Sequence, residues 1–427
     1  MTQVKSIKGM NDVTPQDSPA WRYLENTLIA VARSYGYQEI RFPILEHTDL
    51  FKRSIGEVTD IVEKEMYTFD DRKGQSLTLR PEGTACCVRA AEQNGLLYNQ
   101  VQKLWYTGPM FRYERPQKGR LRQFHQFGLE AFGMDGPDID AELLILTQHY
   151  WRALGILDAV ELQINNLGSS ADRARYSEDL VQYLKSREQE LDEDSRNRLN
   201  SNPLRILDSK VESTQSLLDE APVLDEYLSS ESQQQFDELK SILDDNAVKY
   251  VVNPRLVRGL DYYNNAVFEW VTAELGAQGT VCAGGRYDSL VAQLGGKSTP
   301  AVGCGMGLER LLLLLRQREA IPEDVFKGPD VYLVSMGNVK SLALKLAQQL
   351  RQELPQLTLV SHMGGGSFKN QIKKADKSGA NYALILGEDE AAQECIGLKP
   401  LRSNDEQVRL GLKDLPSHLA QVFNINL

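Results

Sequence analysis

Long apolar runs are missing from this chain. None is longer than Leu311 to Leu315, far short of the roughly 20 residues that a membrane-spanning helix needs. No apolar core follows Met1-Thr2-Gln3-Val4-Lys5-Ser6, so neither a secretory leader nor a membrane anchor is expected, and a cytoplasmic location is. Cysteine is scarce as well. The five, at 86, 87, 282, 304 and 395, form no Cys-x-x-Cys pair and are odd in number. That speaks against a disulfide framework or a structural zinc site and predicts reduced, mostly buried thiols, with no protein-bound metal. An excess of positive charge is also absent. A formal net charge of −11 excludes wholesale adhesion to nucleic acid, so any nucleic-acid partner must meet local basic surfaces.

The deficit is localised. Residues 171–250 carry 19 acidic and 10 basic side chains, a balance of −9 that leaves the rest of the chain at about −2. This segment is poor in aromatics, rich in Glu, Gln, Ser and Lys, and helical in period with Pro203 and Pro222 as breaks, which predicts an inserted helical domain. At 427 residues and 48.0 kDa the chain is long enough for two or three domains. Its 41% hydrophobic and 25% charged content is that of an ordinary globular protein.

The richest stretch runs from Trp105 to Phe132. Two aromatic-rich runs flank the polar segment Arg115-Pro116-Gln117-Lys118-Gly119-Arg120-Leu121-Arg122, a pattern that predicts a long antiparallel hairpin with four cations near its tip. Alternation puts Phe124, Gln126, Gly128, Glu130 and Phe132 on one face, and His125, Phe127, Leu129 and Ala131 on the other, which is the core face. Gln126 and Glu130 then stand about 13 Å apart at Cα, with Gly128 between them leaving a hollow for a small polar ligand. Arg112 and Glu114 share a face of the outgoing strand. The same pattern also fits a solvated strand face with cross-strand ion pairs.

Around this hairpin the order of elements is readable. A helix is expected from about Gln16 to Ser34, stopping at Tyr35-Gly36-Tyr37, and then a strand from Gln38 to Pro43 with Ile40 and Phe42 on one face. A strand pair follows near Glu65–Phe69 and Ser76–Arg80. Arg80-Pro81-Glu82-Gly83-Thr84 opens a helix over residues 84–93, where the Glu82 carboxylate suits the positive end of the helix dipole. Another helix covers residues 138–153, and a β-rich stretch resumes at Tyr250-Val251-Val252.

Neither nucleotide loop suggested by the glycines survives inspection. Gly295-Gly296-Lys297-Ser298 has Val291 where a phosphate loop needs its first glycine, and in Gly303-Cys304-Gly305-Met306-Gly307-Leu308 the last glycine of a dinucleotide fingerprint is Leu308. Gly303 to Gly307 reads instead as a glycine-rich strand feeding a helix. Arg310 in the first turn of that helix points to a cleft if Leu311, Leu312 and Leu315 face inward. After Pro322, Gly328 and Pro329, strands at Val331–Ser335, Leu357–Val360 and Tyr382–Leu386 alternate with helices at Lys340–Leu354 and Phe368–Ser378, an α/β pattern with parallel pairing. Lys369, Lys373 and Lys377 recur at four-residue spacing on one helical face.

Phe111-Arg112-Tyr113-Glu114, the basic loop and the returning strand resemble motif 2 of class II aminoacyl-tRNA synthetases. The continuation through Arg115-Pro116-Gln117-Lys118-Gly119-Arg120 and Gln123-Phe124-His125-Gln126 resembles the histidyl-tRNA synthetase family in particular. Residues 16–43 resemble motif 1, and Gly303 to Arg310 resembles motif 3. Leu256-Val257-Arg258-Gly259-Leu260-Asp261-Tyr262-Tyr263-Asn264 and Ala283-Gly284-Gly285-Arg286-Tyr287-Asp288 resemble the two histidine-specific motifs. The resemblance implies an α+β catalytic domain, an antiparallel sheet flanked by helices, with a helical insertion and a C-terminal α/β anticodon-binding domain. The segments would be 1–170 and 251–325 for the catalytic domain, 171–250 for the insertion and 326–427 for the anticodon-binding domain.

The implied activity is activation of L-histidine with ATP and Mg²⁺, followed by transfer to the histidine tRNA, in a homodimer built on motif 1. By the resemblance Arg112 holds the α-phosphate of ATP, Glu114 the adenine amino group, Phe124 stacks on adenine and Arg310 meets the γ-phosphate. Glu82, Gly83, Thr84 and Gln126 surround the substrate ammonium, Glu130 and Tyr263 read the imidazole with Tyr262 beside them, and Arg258 joins Arg112 as a catalytic cation. Gln117, Lys118, Arg120 and Arg122 are the implied tRNA contacts. The alternative is a non-catalytic regulatory paralogue of histidine biosynthesis, which generally lacks the arginine motif and the C-terminal domain, both of which have counterparts here.

Overall fold

The computed structural model describes residues 3–425 apart from 57, 58 and 60. The chain divides into two compact units, Met1–Pro322 and Glu323–Leu427.

In the first unit the elements run α1 (Ser18–Ser34), β1 (Gln38–Glu39), β2 (Leu45–His47), α2 (Thr48–Ile55), β3 (Tyr67–Asp70), β4 (Ser76–Leu79), α3 (Thr84–Gln93), β5 (Gln102–Phe111), β6 (Gln123–Phe132) and α4 (Pro137–Ala153). They continue with β7 (Glu161–Asn166), α5 (Ser170–Lys185), α6 (Glu193–Arg198), α7 (Glu212–Leu218), α8 (Ser230–Asp245), β8 (Val251–Val252), β9 (Asn264–Val271), β10 (Thr280–Arg286), α9 (Leu290–Gln293), β11 (Ala301–Gly307) and α10 (Leu308–Gln317). An eight-stranded sheet in the order β1-β5-β6-β11-β10-β9-β7-β8 forms the body, and β2-β4-β3 make a small second sheet. The pairings from β5 through β7 are all antiparallel, and the two-residue strands β1 and β8 add parallel edges.

One core cluster lies on one face of the large sheet, and a second covers part of the other face with Tyr106 of β5 and Phe132 of β6. Phe127, Leu129 and Ala131 of β6 are buried in the first with Leu24 and Leu28 of α1, Leu143 and Leu144 of α4, and Leu311 and Leu315 of α10. Leu24 and Leu28 lie four residues apart, as do Leu311 and Leu315, so α1 and α10 each turn one apolar stripe to the sheet; each buried leucine contributes about 1.5–3 kcal/mol. Helix α1 stops where Gly36 takes a φ of +82°, a left-handed geometry that glycine adopts without a Cβ penalty.

One expectation needs correction. The strand predicted from Gln38 to Pro43 ends after Glu39, because the Arg80 guanidinium draws the chain aside. It donates to the Phe42 and Pro43 carbonyls at 3.1 and 3.4 Å and sits 5.0 Å over the Phe42 ring. The acidic helices of 170–245 also share the first unit's core. Phe236, Leu239 and Leu243 of α8 pack into the cluster that holds α4, and Tyr176, Leu180 and Leu184 of α5 join Leu256, Val257 and Tyr262.

The second unit contains β12 (Val331–Ser335), α11 (Lys340–Glu353), β13 (Leu359–Ser361), α12 (Phe368–Lys377), β14 (Tyr382–Leu386), α13 (Glu388–Ala392), β15 (Cys395–Pro400), β16 (Val408–Gly411) and α14 (Leu415–Val422). Strands β13-β12-β14 are parallel, as expected from the alternation with helices. The sheet then continues through antiparallel β15 and β16, which the alternation did not announce. Helices α11 and α12 pack in separate clusters around these strands, and Lys369, Lys373 and Lys377 of α12 are exposed.

Candidate active site

The face of β6 opposite its core side carries Gln126, Gly128 and Glu130, and β11 sets Gly307, Gly305 and Gly303 directly against them. Four of these six positions lack a side chain. Above the bare strands lies a cavity of about 310 Å³, with Gly305, Gly307 and Gln126 on its floor.

The hollow expected above Gly128 is filled, however. Tyr106 stands opposite Gly128 in the β5–β6 ladder, and a Cβ at Gly128 or at Gly83 would overlap its ring. Both glycines therefore make room for a protein side chain rather than for a ligand. The Tyr106 hydroxyl donates to Glu130 at 3.0 Å, Thr84 Oγ1 donates to the same carboxylate at 2.8 Å, and the Tyr287 hydroxyl is a third partner. A Cβ at Gly303 would strike this carboxylate, so the motif 3 strand must be bare at that point. Glu130 has no exposed surface. Burial outweighs its three hydroxyl partners and pushes its pKa up to about 8.

Glu82, at the cavity wall, accepts the backbone N–H groups of Thr84 and Ala85 at 2.7 and 2.9 Å. It therefore satisfies two of the orphan donors at the start of α3. Burial raises its pKa, against the pull of those amides and of Arg112. Gly83 is the residue that caps α3.

The arm beyond the β5–β6 ladder supplies another wall. Arg112 Nε donates to the Pro81 carbonyl at 2.9 Å, its guanidinium lies 5.3 Å from the Phe124 ring centroid, and NH1 is 3.9 Å from Glu114. Burial draws the Arg112 pKa down. Glu114 is buried and ion-paired with Arg120, which also approaches Glu65 at 3.8 Å. Arg310 closes the far side, donating to the carbonyls of Gly119 at 3.0 Å and Thr280 at 2.8 Å and to Gln278 Oε1 at 2.8 Å. Burial, together with Arg120 and Arg112 nearby, lowers its pKa.

Arg258 sits on a loop with no regular structure and lines the same cavity. It pairs with Glu269 on β9 and lies 5.6 Å from the Tyr263 ring. Burial opposes its charge, but Glu269 together with Tyr263 and Tyr262 outweighs that effect and raises its pKa. Glu269 in turn accepts from Thr280 Oγ1 at 2.9 Å. Arg258 Nε is buried without a partner, a donor aimed at nothing in the protein. Tyr262 and Tyr263 pack ring to ring at 4.6 Å, and burial pushes the Tyr263 hydroxyl up to about 12.

The four expected tRNA contacts separate into two pairs. Gln117 and Lys118 are exposed at the tip, where Gln117 and Arg120 exchange backbone bonds of 2.9 Å in each direction. Arg120 instead turns into the cavity, and Arg122 folds back at the base, 3.9 Å over the Tyr113 ring with Nε donating to the Glu114 carbonyl at 3.1 Å. Sequence reasoning missed Tyr106, Tyr287 and Glu269. The hairpin register could have placed Tyr106 over Gly128, and a lone carboxylate within Val267-Phe268-Glu269-Trp270-Val271 was a signal of a paired buried charge.

An antiparallel sheet carrying a cationic hairpin arm, beside a glycine strand that feeds an arginine-bearing helix, defines the catalytic unit of a class II aminoacyl-tRNA synthetase. The histidyl-tRNA synthetase family model matches residues 9–311, and an anticodon-binding-domain model matches residues 330–421. The chain belongs to the histidyl-tRNA synthetase family. It is 59% identical over 406 residues to the histidine–tRNA ligase of Marinomonas sp. (strain MWYL1), covering 95% of this chain and 96% of that protein. The apo histidyl-tRNA synthetase structure from S. aureus is 36% identical with a TM-score of 0.81, covering 97% of this chain and 99% of the other. The fold is also shared with a Bacillus halodurans structure described as an ATP phosphoribosyltransferase regulatory subunit/histidyl-tRNA synthetase, at 20% identity and a TM-score of 0.63 over 90% of this chain and 98% of that one.

Proposed function

We propose that the chain is a histidine–tRNA ligase that couples L-histidine to ATP, forming histidyl-adenylate and pyrophosphate, and then passes the histidyl group to the 3′ end of its tRNA. The observation that carries this reading is the gathering of Glu82, Arg112, Glu114, Arg258 and Arg310, from four separate stretches of sequence, around one cavity.

In the first step a carboxylate oxygen of histidine attacks the α-phosphorus, and the bond to the pyrophosphate oxygen breaks. Negative charge builds on the α-phosphate oxygens. Arg112 and Arg258, held by carbonyl, carboxylate and ring partners before substrate arrives, are preorganised to meet it. The unpartnered Arg258 Nε is the donor free for a phosphate or carboxylate oxygen. Glu82 receives the ammonium with Gln126 and Thr84 near it. Glu130, reached through the Thr84, Tyr106 and Tyr287 hydroxyls, and Tyr263 provide the polar partners that an imidazole needs, and a side chain lacking ring nitrogens leaves them unpaired. In the second step a ribose hydroxyl of the tRNA attacks the acyl carbon and AMP departs.

Glu114 and Phe124 take the adenine and Arg310 the γ-phosphate, once ATP displaces the Arg120 partner of Glu114. Mg²⁺ enters as the complex with ATP. The carboxylates at the wall are already engaged, Glu82 by amides and Glu114 and Glu269 by guanidinium groups. Among the described residues no group of three or more His, Cys, Asp or Glu side chains could hold a metal ion; a Mg²⁺ ion that arrives with ATP needs at most one or two carboxylates beside the phosphate oxygens.

The working form is a cytoplasmic homodimer; among the described residues no helix is long and apolar enough to cross a membrane. A groove of about 700 Å³ runs along α1 and β1. Trp21, Ile29, Arg33 and Arg41 line it, and a second copy can cover it. The catalytic segments 1–170 and 251–325, the 171–250 insertion over the acceptor stem and the 326–427 anticodon-binding domain divide the work. ATP–pyrophosphate exchange with each of the twenty amino acids tests the assignment. Exchange with histidine alone is expected; exchange with another amino acid refutes the substrate, and none in folded protein favours the regulatory alternative.

A further inference from the structure

The arm of residues 112–122 carries Arg112, Glu114 and Arg120, yet almost none of its backbone belongs to the sheet. The β5–β6 ladder ends at Phe111 and Gln123. Beyond it, one cross-arm bond at the base, Arg112 N–H to the Arg122 carbonyl at 2.9 Å, and the pair at the tip join the two sides. Glu114 N–H turns back on the Arg112 carbonyl at 2.8 Å, and three other backbone donors leave the arm. Tyr113 N–H reaches the Glu65 carbonyl at 2.6 Å, while Arg122 N–H and Gln123 N–H both converge on the Gly9 carbonyl at 2.8 and 3.1 Å.

Gly9 is built for that role. It sits in a turn closed by Met10 N–H to the Ile7 carbonyl at 2.9 Å and is buried with φ +83°. A Cβ there would lie 2.8 Å from Pro116 Cγ and 3.1 Å from Arg122 Cγ. A side chain at this position therefore meets two penalties, a left-handed backbone and a collision with the arm itself. Downstream the segment is tied again, Thr14 Oγ1 donating to Asp17 at 2.9 Å and Asp17 pairing with Arg316 of α10 at 2.7 Å. Residues 7–17 form a strap between α10 and the arm.

We propose that Gly9 is a positioning residue for the ATP subsite: its carbonyl clips the returning side of the arm, and the clip sets where Arg112, Glu114 and Arg120 stand. The proposal rests on the reading of this cavity as an ATP site. It goes beyond that reading by assigning a role to a residue that touches no substrate. The histidine subsite rests on α3, β6 and the loop that leads into β9, so the clip governs the two substrates unequally.

The test uses the full-length protein with Gly9→Asn, which tolerates the left-handed backbone but adds the Cβ, alone and with Pro116→Ala, which removes the nearest collision. Hydrogen exchange of the peptide containing Arg122 and Gln123, read by mass spectrometry, reports the clip without reference to activity. The expected result is faster exchange in that peptide and an ATP KM raised between about tenfold and a hundredfold, with the histidine KM within about twofold of wild type. Pro116→Ala alone leaves exchange activity unchanged, and the double variant regains much of the ATP KM. Unchanged protection, an unchanged ATP KM, or equal increases for ATP and histidine that Pro116→Ala does not relieve would overturn the proposal. If the wild type fails to exchange pyrophosphate while the protection pattern behaves as stated, the functional reading falls and the clip stands.

Discussion

Replacing Glu269 by glutamine tests whether Arg258 acts from a fixed position. Arg258 is carried by an irregular loop, whereas Glu269 lies in β9, where Ala283 and Gln163 flank it in the ladder. The carboxylate is itself held by Thr280 at 2.9 Å. Glutamine keeps the size and the capacity to accept from Thr280, and removes the charge that grips the guanidinium. A hydrogen bond between charged groups contributes about 1.5–3 kcal/mol, which converts to a roughly 10- to 150-fold loss if all of it serves to hold Arg258 in place. Removing the arginine itself, as Arg258→Ala, should cost about 100- to 1,000-fold, the scale of one transition-state donor.

Single-turnover adenylate formation in a quench-flow apparatus separates these values from binding. Glu269→Gln should lower the rate constant while leaving the ATP dissociation constant equal to wild type or lower, since a competing anion has been removed from the cation. Glu269→Gln/Arg258→Ala should be no slower than Arg258→Ala, because a residue that acts through another has nothing to position once its partner is gone. Multiplicative losses in the double variant, or a wild-type rate in Glu269→Gln, would refute the reasoning.

Glu130 makes the pH dependence testable. Its carboxyl titrates at about 8 in the fold against 4.5 when free, so its contribution to stability is whole below about pH 4.5 and is lost as pH rises through about 8; Glu130→Gln should flatten the fall in Tm between pH 6 and pH 8.5, and a parallel fall in both proteins would contradict the assignment. The same titration predicts that histidine binding at pH 7.5 releases protons if the anion is the bound form, which calorimetry in two buffers of different ionisation enthalpy would reveal as unequal heats. Gly128→Ala, which drives a methyl into the Tyr106 ring, should lower stability by about 1–3 kcal/mol in urea titration and weaken histidine binding; an unchanged midpoint would mean that the ring moves freely. Because Arg120 faces the ATP cavity while Gln117 and Lys118 face solvent, Arg120→Ala should alter pyrophosphate exchange as well as transfer, whereas Gln117→Ala and Lys118→Ala should spare exchange, with Lys118→Ala mainly lowering the salt slope of tRNA binding by about one. Sedimentation equilibrium at micromolar protein should give twice 48.0 kDa; the monomer mass would contradict the homodimer.

What was legible in the sequence was what local pattern carries. Helix α3 begins at Thr84 and ends at Gln93 because Glu82 and Thr84 mark its start in the primary structure. The hairpin, the glycine strand β11 and the parallel strands β12 and β14 likewise have their own periodicity. Pairings made across long separations left no such trace. Tyr287 bonds a carboxylate 157 positions away, and Arg310 reaches a carbonyl 191 positions away; an isolated tyrosine or glutamate reads the same whether it faces solvent or a site. Strand β1 is short for a similar reason, since Arg80 takes carbonyls 37 and 38 residues away that the local β-pattern had assigned to the ladder. Arg120 looked like a tip residue because loop charge is normally solvated, and only the buried Glu114 explains why it points inward.

The bare strands beneath the cavity divide labour in the site. In the middle of an antiparallel sheet every N–H and C=O is spent on a neighbouring strand, so Gly305 and Gly307 offer a ligand shape without polarity. Discrimination must then come from the side chains around them: Gln126 and Glu130 of β6, the arm, the Arg258 loop and the first turns of α3 and α10. A chemically silent base under charged walls leaves the choice of amino acid, nucleotide and RNA to the walls while the reacting atoms keep one height above the sheet. It also makes the base vulnerable in one direction only. Nothing can be trimmed from it, and at Gly303 and Gly128 even a single added carbon is already too much.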